Sequence, residues 1–321
     1  MRDHGYASRP IRGTDTVWLH RLAVLTSTLT LVLILAGGLV TSTGSALAVP
    51  DWPTTFGYNM FFYPWSEMKG GILYEHSHRL IGSVVGLLTV ILALWLWVKE
   101  PRGWVRWLGV AAAAAVVVQG VLGGVRVMLA SSGQTLAILH GCLAQAFFAL
   151  LVSLAIFTSR EWKQDPLRPS MDRADRLGRL CLLTTGFVFL QVVLGAMLTH
   201  AGILLTAHLL CAALIAIHVS LLEARILRHR IDLPELAFPS SLLCGLLALQ
   251  LLLGLGSYLG RFTSIGISSA ALSGPLLPVA HRVTAALMLA TCLVLTLRSY
   301  RLSGSARTAV GHTVASEGAR A

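Results

Sequence analysis

Eight apolar stretches of about 20 residues constrain the fold of this chain more than any other feature. In lipid, an apolar segment of this length satisfies its backbone hydrogen bonds only as a helix. Charged residues make up 12% of the 321 residues, about half the share that is usual in a soluble domain. The sequence therefore predicts an all-α integral membrane protein with eight transmembrane helices, at 18–42, 76–98, 104–126, 137–158, 177–199, 204–226, 237–259 and 276–298.

The distribution of Lys and Arg predicts how these helices are oriented. Of 25 basic residues, 20 lie in the N-terminal arm, the even-numbered connections and the tail, whereas the opposite side holds three. Because cytoplasmic loops carry an excess of basic residues, both termini are predicted to be cytoplasmic. The formal net charge of +11 is thus interpreted as a topology signal, and no nucleic-acid partner is expected.

An internal repeat divides the chain into two similar halves. The pattern Gln-x-x-Leu-Gly occurs at 119–123, 191–195 and 250–254, near the outer ends of spans three, five and seven, and Leu33–Gly37 occupies the corresponding place in span one. Close helix packing is the preferred interpretation of these glycines and glutamines. The sequence predicts two tandem, parallel four-helix bundles, with an arm at 1–17, bundles at 18–158 and 177–298, a cytoplasmic linker at 159–176 and a tail at 299–321.

One histidine lies near the outer end of each even-numbered span. Such residues are costly at membrane depth and tend to mark function. Imidazole binds haem iron, zinc or copper, but zinc favours three or four ligands, and the five cysteines are scattered through the spans without a CxxC pair. Two imidazoles on facing helices suit axial haem ligation, so two pairs are predicted to bind haem iron: His78 with His140, and His208 with His281.

Three charged residues accompany these histidines. Arg79 and Arg282 directly follow their histidines, and each is predicted to bind a haem propionate, with a snorkelling arginine as the alternative. Glu75 precedes His78 by three residues and shares its helix face, whereas Leu205 precedes His208. A carboxylate there could accept a proton or stabilise positive charge, or form only a structural ion pair. The asymmetry predicts chemistry in the first half and a held cofactor in the second.

The first outer loop, at 43–74, is rich in aromatic residues. Such residues can form an interfacial belt, and a loop of this length can also act as a lid over a bulky apolar substrate. Both interpretations stay open at this stage.

Several motifs together resemble the haem A synthase family over residues 17–300. They are Gly37-Gly38-Leu39-Val40-Thr41, Gly44 with Asp51-Trp52-Pro53, Glu75-x-x-His78-Arg79, Gln119 to Val127, Leu139 to Gln145, and the second-half repeats around His208 and His281-Arg282. The resemblance implies oxidation of a ring methyl of haem O to a formyl group, with Glu75 catalytic. It also implies substrate haem O in the first half and haem b in the second. Many relatives carry a cysteine pair in the first outer loop, and this chain has none.

The predicted function is therefore that of a haem A synthase, an oxidoreductase that serves terminal oxidase biogenesis in the bacterial cytoplasmic membrane. Haem O synthase, oxidase assembly proteins and further copies of the chain are candidate partners. A non-catalytic di-haem b electron-transfer cytochrome is the alternative, and a transporter with histidine proton relays is a more distant one. The cytochrome explains the paired histidines equally well, but it explains neither Glu75 nor the difference between the halves.

Overall fold

The computed structural model describes residues 13–129, 133–164, 173–262 and 274–318, with side chains described at 17–129, 133–164, 176–260 and 274–302. Within these ranges the protein is helical and contains no strand, apart from one isolated bridge between Thr55 and Tyr58. The long helices are α1 Gly13–Ser42, α2 Gly71–Lys99, α3 Gly103–Met128, α4 Gly133–Thr158, α5 Arg173–Ala201, α6 Leu205–Arg228, α7 Pro234–Phe262 and α8 Leu276–Gly318.

All eight long helices are long and apolar enough to cross a membrane, which confirms the predicted spans. Several helices extend beyond the predicted spans, and two of these extensions change a predicted boundary of the outer loop or the tail. Helix α2 begins at Gly71, so Glu75 lies inside the helix and the outer loop is 43–70. Helix α8 continues past residue 298 to Gly318, because no proline follows Pro278 to end it.

The helices pack in two sets of four. In the first set α1 contacts α2, α2 contacts α3, α3 contacts α4, and α4 returns to α1; helices α5 to α8 repeat this order of contacts. Helix α8 also contacts α1 and α4, and α4 contacts α5. A small cluster of Ile34, Phe148 and Ala286 buries apolar surface where α1, α4 and α8 meet.

Hydroxyl side chains inside the spans bond within their own helices. Thr26, Ser27 and Thr30 each donate to the carbonyl oxygen four residues earlier, at 2.8 Å. A hydroxyl without a partner in an apolar interior is costly, so these back-bonds allow polar residues in α1 without a ligand or a water-filled cavity.

The outer loop is folded around the Asp51 carboxylate. It accepts hydrogen bonds from the backbone N–H groups of Phe56 and Gly57, at 2.7 and 2.9 Å, and from the Thr54 hydroxyl. Burial raises the pKa of the Asp51 carboxyl, but these hydrogen bonds outweigh it, and the net pKa is lowered from 3.8. Asp51 is therefore ionised at neutral pH and holds the turn that follows it.

Candidate functional site

The first predicted histidine pair comes together inside the first set of helices. His78 on α2 and His140 on α4 face each other, with ring centroids 6.5 Å apart and ring planes at 73°. Helices α2 and α4 are diagonal neighbours in the ring of contacts formed by α1 to α4. The two imidazoles therefore meet across the interior of the four helices, even though 61 residues of chain lie between them.

The second pair repeats this arrangement. His208 on α6 and His281 on α8 have ring centroids 6.4 Å apart, with the planes at 57°. His281 Nδ1 lies 3.2 Å from the Gln250 carbonyl oxygen. A hydrogen bond from Nδ1–H to a carbonyl fixes the tautomer and leaves Nε2 without a proton, the state in which an imidazole can accept a hydrogen bond or bind a metal.

The ring-centroid distances of both pairs would allow one metal ion to bind between the two imidazoles. At a metal–nitrogen distance of about 2.0–2.1 Å, two imidazoles on opposite sides of one ion have ring centres roughly 6 Å apart. No cluster of three or more His, Cys, Asp or Glu side chains that could hold a metal occurs in the described ranges. The residues present therefore fit a haem iron, whose porphyrin supplies the remaining ligands, better than a closed zinc site.

Each of the four histidines packs against a glycine of the preceding helix. A Cβ at Gly37 or Gly254 would lie 3.0 Å from the Cε1 atom of its histidine, and one at Gly195 or Gly123 would lie at 3.3 or 3.6 Å. The pairs are Gly37 with His78, Gly123 with His140, Gly195 with His208, and Gly254 with His281. Sequence reasoning assigned these glycines to helix packing and missed the imidazole contact. Their recurrence in every odd-numbered span was the signal for it.

The repeated glutamines also contact the histidines. Gln119 donates to the His140 carbonyl oxygen and Gln191 to that of His208, each at 3.0 Å. The Gln191 and Gln250 side-chain nitrogens lie 3.2 Å from Nε2 of their histidines, His208 and His281. These glutamines bond across the helix interface, as predicted from their place beside the glycines.

Glu75 is buried beneath the outer loop, with 6% of its surface exposed. Its Oε2 atom accepts a hydrogen bond from the Val49 backbone N–H at 2.9 Å, and Oε1 pairs with Arg79 at 2.9 Å. No carboxylate occupies the corresponding place in the second half, where Leu205 begins α6. The acid next to the first histidine pair is thus fixed by two donors, one of which belongs to the loop.

Arg79 ties the loop to α2. Its guanidinium donates to the carbonyl oxygens of Asp51, Thr54 and Val49 at 2.7 to 3.1 Å, in addition to Glu75. Four contacts at this distance engage both terminal nitrogens. The predicted contact of Arg79 with a propionate stays a prediction, since the structure places the guanidinium on the protein itself.

Arg282 lies where the two sets of helices meet. Its Nη1 atom is 3.4 Å from where a Cβ of Gly38 on α1 would lie. Gly37, the preceding residue, packs against His78. The backbone of α1 at Gly37–Gly38 therefore separates the first histidine pair from Arg282. Because these two glycines have no side chains, His78 and Arg282 can both approach this backbone closely.

The outer loop packs some of its side chains against the helices and exposes others. The Trp52 ring lies directly on the backbone of Gly124 in α3, and Thr55 Oγ1 is 3.1 Å from Nδ1 of the buried His76. Phe62 and Trp65, in contrast, are 81% and 78% exposed. The loop covers the outer end of the first set of helices with one side and presents aromatic rings outward with the other, so it combines features of a lid and of an interfacial belt.

His218 and the five cysteines take no part in either pair. His218 lies ten residues after His208, about 15 Å further along α6, and is 3.4 Å from the Thr184 hydroxyl; it does not join the second pair. All five cysteines are free.

These features define a class: a multi-pass helical membrane protein in which two imidazole pairs lie inside a repeated arrangement of helices. Residues 20–207 match the family described as COX15-CtaA, cytochrome oxidase assembly protein. This match covers more than half of the chain, and the protein belongs to that family. It is an integral membrane protein of the bacterial cytoplasmic membrane.

Several curated relatives carry the name Heme A synthase. The protein from Alkalihalophilus pseudofirmus is 30% identical over 193 residues, which is 59% of this chain and 61% of that protein. The one from Shouchella clausii is 34% identical over 150 residues, 46% of this chain and 48% of that protein. The one from Cereibacter sphaeroides is 28% identical over 237 residues, 63% of this chain and 57% of that protein. The chain thus matches about half to three fifths of the length of these relatives.

Proposed function

We propose that this protein is a haem A synthase, which oxidises a ring methyl of haem O to a formyl group for terminal oxidase biogenesis. The observation that carries the proposal is the difference between two otherwise matching histidine pairs. Glu75 is buried one helical turn from His78, and the second pair has Leu205 in that position. The names of the relatives and the family description point the same way.

The proposal assigns a role to each half. Residues 18–158 form a catalytic four-helix bundle in which His78 and His140 bind substrate haem O. Residues 177–298 form a second, parallel bundle in which His208 and His281 bind haem b, with Arg282 at a propionate. The equivalent order of helix contacts in the two halves supports this tandem arrangement, with both termini in the cytoplasm, as the basic residues predict.

Glu75 acts on the substrate methyl in this proposal. If His78 and His140 both bind the iron of the substrate haem O, dioxygen would have no open position there, and the methyl would be oxidised by removal of electrons and addition of water. Converting a methyl to a formyl group releases four electrons and four protons and consumes one water. The Glu75 carboxylate, held by the Val49 N–H and Arg79, stabilises positive charge on the reacting carbon and accepts protons. Haem b, held by His208 and His281, would relay the four electrons one at a time to an electron acceptor outside this chain.

A di-haem b electron-transfer cytochrome is the second candidate. The paired histidines suit it equally, but it gives no role to a buried carboxylate at one site only. The two functions predict different products. Co-expression with a haem O supply, followed by haem extraction and chromatography, should yield haem A above the level in membranes that lack the protein. Bound haem b without haem A would favour the cytochrome, and a purified protein without a Soret band would contradict both.

The same preparation tests the predicted partners. Haem O synthase, oxidase assembly proteins and a second copy of the chain are expected to co-purify in mild detergent if they act together. The family description names cytochrome oxidase assembly, and it supports an oxidase as the destination of the product.

A further inference from the structure

Arg126 is a cation at the first histidine pair, and no described residue uses its hydrogen-bonding groups. It lies in the last turn of α3 and is half-buried. The guanidinium lies within electrostatic range of Glu75, His78 and His140, and so belongs to this site. Among the described residues none forms a hydrogen bond or an ion pair with it. A guanidinium has five donors, and those that are buried are costly unless a ligand or water satisfies them.

Arg79, the other arginine at this site, already uses its hydrogen-bonding groups. Both of its terminal nitrogens already bind loop carbonyls and Glu75. A ligand carboxylate could bind Arg79 only by displacing those contacts. Arg126 has no hydrogen bond with a described residue that such a ligand would have to displace.

Arg126 lies on the face of α3 that meets the first histidine pair. It follows Gly123 by three residues, so both lie on one helix face, and Gly123 is the residue that packs against His140. The corresponding residues in the other odd-numbered helices are Val40, Leu198 and Ser257. The arginine is therefore specific to the site that also has Glu75.

We infer that Arg126 binds a propionate of the porphyrin substrate and thereby selects which ring methyl faces Glu75. This inference rests on the proposed function. The methyl that becomes the formyl group of haem A stands on a pyrrole ring that also carries a propionate. A cation within electrostatic range of Glu75 that holds this propionate places the neighbouring methyl beside the carboxylate. An arginine–carboxylate contact is charge-assisted and directional, so it orients the porphyrin as well as binding it.

The test compares haem b with its dimethyl ester, in which both propionates are uncharged. Full-length protein carrying His208→Ala and His281→Ala is titrated with each porphyrin, so that the Soret band reports the first site alone. In this background Arg126→Gln should weaken haem b binding by about tenfold to a hundredfold, the effect of one charge-assisted hydrogen bond, and leave ester binding unchanged. Arg126→Lys, which keeps the charge, should lose less. Arg106→Gln is the control, on the same helix at the other membrane face, beside Trp97.

The outcomes separate the inference from the function on which it rests. If Arg126→Gln weakens both porphyrins equally, or neither, the propionate contact is wrong. If Arg126→Gln does not accumulate, equal loss of both porphyrins in Arg126→Lys has the same meaning. If the unsubstituted first site binds neither porphyrin while its histidines are intact, the proposed substrate site itself is wrong. A product mixture with formyl groups on other pyrrole rings in Arg126→Gln would support the selection of the methyl.

Discussion

Glu75 and Arg79 lie one turn apart on α2 and form a buried ion pair of 2.9 Å, and the same guanidinium binds three carbonyl oxygens of the outer loop. The acid next to the first histidine pair is therefore part of the loop's attachment. Any movement of the loop away from α2 would remove the Val49 N–H from Glu75 and expose the carboxylate to water. This coupling makes the loop and the acid one structural unit.

Glu75→Gln should leave haem binding intact and abolish formyl formation. The amide keeps the shape of the side chain but cannot stabilise positive charge on the reacting carbon. A loss of about a hundredfold or more in haem A is expected, measured by chromatography of extracted haem. The matched control is Glu223→Gln, which changes a carboxylate on α6 that accepts a hydrogen bond from Ser241. Unchanged haem A in Glu75→Gln would remove the catalytic role of this residue.

Arg79→Gln should release the outer loop from α2. The variant loses contacts to Val49, Asp51 and Thr54, and charge-assisted hydrogen bonds of this kind contribute about 1.5–3 kcal/mol each. Trypsin should then cleave after the exposed Lys69 at least about tenfold faster, as measured on protein in nanodiscs. Arg21→Gln, at an arginine stacked on Trp18 in α1, is the control. An unchanged cleavage rate would show that the loop is held by other contacts, such as that of Trp52 with Gly124.

Gly254→Ala should disturb the second histidine pair. The added Cβ would lie 3.0 Å from His281 Cε1, so the ring must shift by a few tenths of an ångström away from its place opposite His208. We expect a lower haem-to-protein ratio and a weaker low-spin signal by electron paramagnetic resonance. Gly245→Ala on the same helix meets open space, and its better helix propensity makes it neutral or slightly stabilising. Equal spectra in the two variants would contradict a positioning role for Gly254.

His208→Ala should remove one haem and leave the other. Each imidazole supplies half of the axial ligation in the proposed second site, so the haem-to-protein ratio of the fully loaded protein should fall by about half in a pyridine haemochrome assay. His218→Ala is the matched control on α6, since His218 lies ten residues away beside Thr184 and Phe187. If both substitutions lowered the ratio equally, the assignment of His208 as a ligand would be wrong.

The turn after Asp51 should keep its structure in acid until the pH falls below the usual pKa of an aspartate carboxyl. The folded-state pKa of Asp51 is lowered from 3.8, so its contribution to loop stability is fully present above that value and is lost as the pH falls through the lowered pKa. Trp52 fluorescence should therefore stay constant from pH 8 to about 5 and change only below about 3.8. Asp51→Asn should show no such transition. A change centred near neutral pH would mean that another group controls the loop.

The positions of the spans and of the histidines could be read from the chain because both are properties of local sequence. Lipid thickness sets the length of an apolar run, and counting residues from its end places His78, His140, His208 and His281 at one level. That α2 begins as early as Gly71 was harder to predict, because the helix extends past the apolar run into the loop region.

The contacts of Arg79 could not be predicted in the same way. The pattern His-Arg at 78–79 gave Arg79 and Arg282 one common prediction, yet Arg79 lies under a loop of its own half while Arg282 lies against α1. The loop of 43–70 has no periodicity that fixes its path, so nothing local shows which carbonyl oxygens reach the guanidinium.

The sequence by itself determined eight helices, a charge pattern that predicts their orientation, the repeat and one histidine near the end of each even-numbered span, because these are properties of residues close together in the chain. Only the tertiary structure decided what surrounds those imidazoles: the glycines beneath the rings, Trp52 on Gly124, Glu75 beneath the loop, and Arg126 without a partner among the described residues. These depend on how helices rotate and pack and on where a long loop comes to rest, and they are set by contacts between residues far apart in the chain.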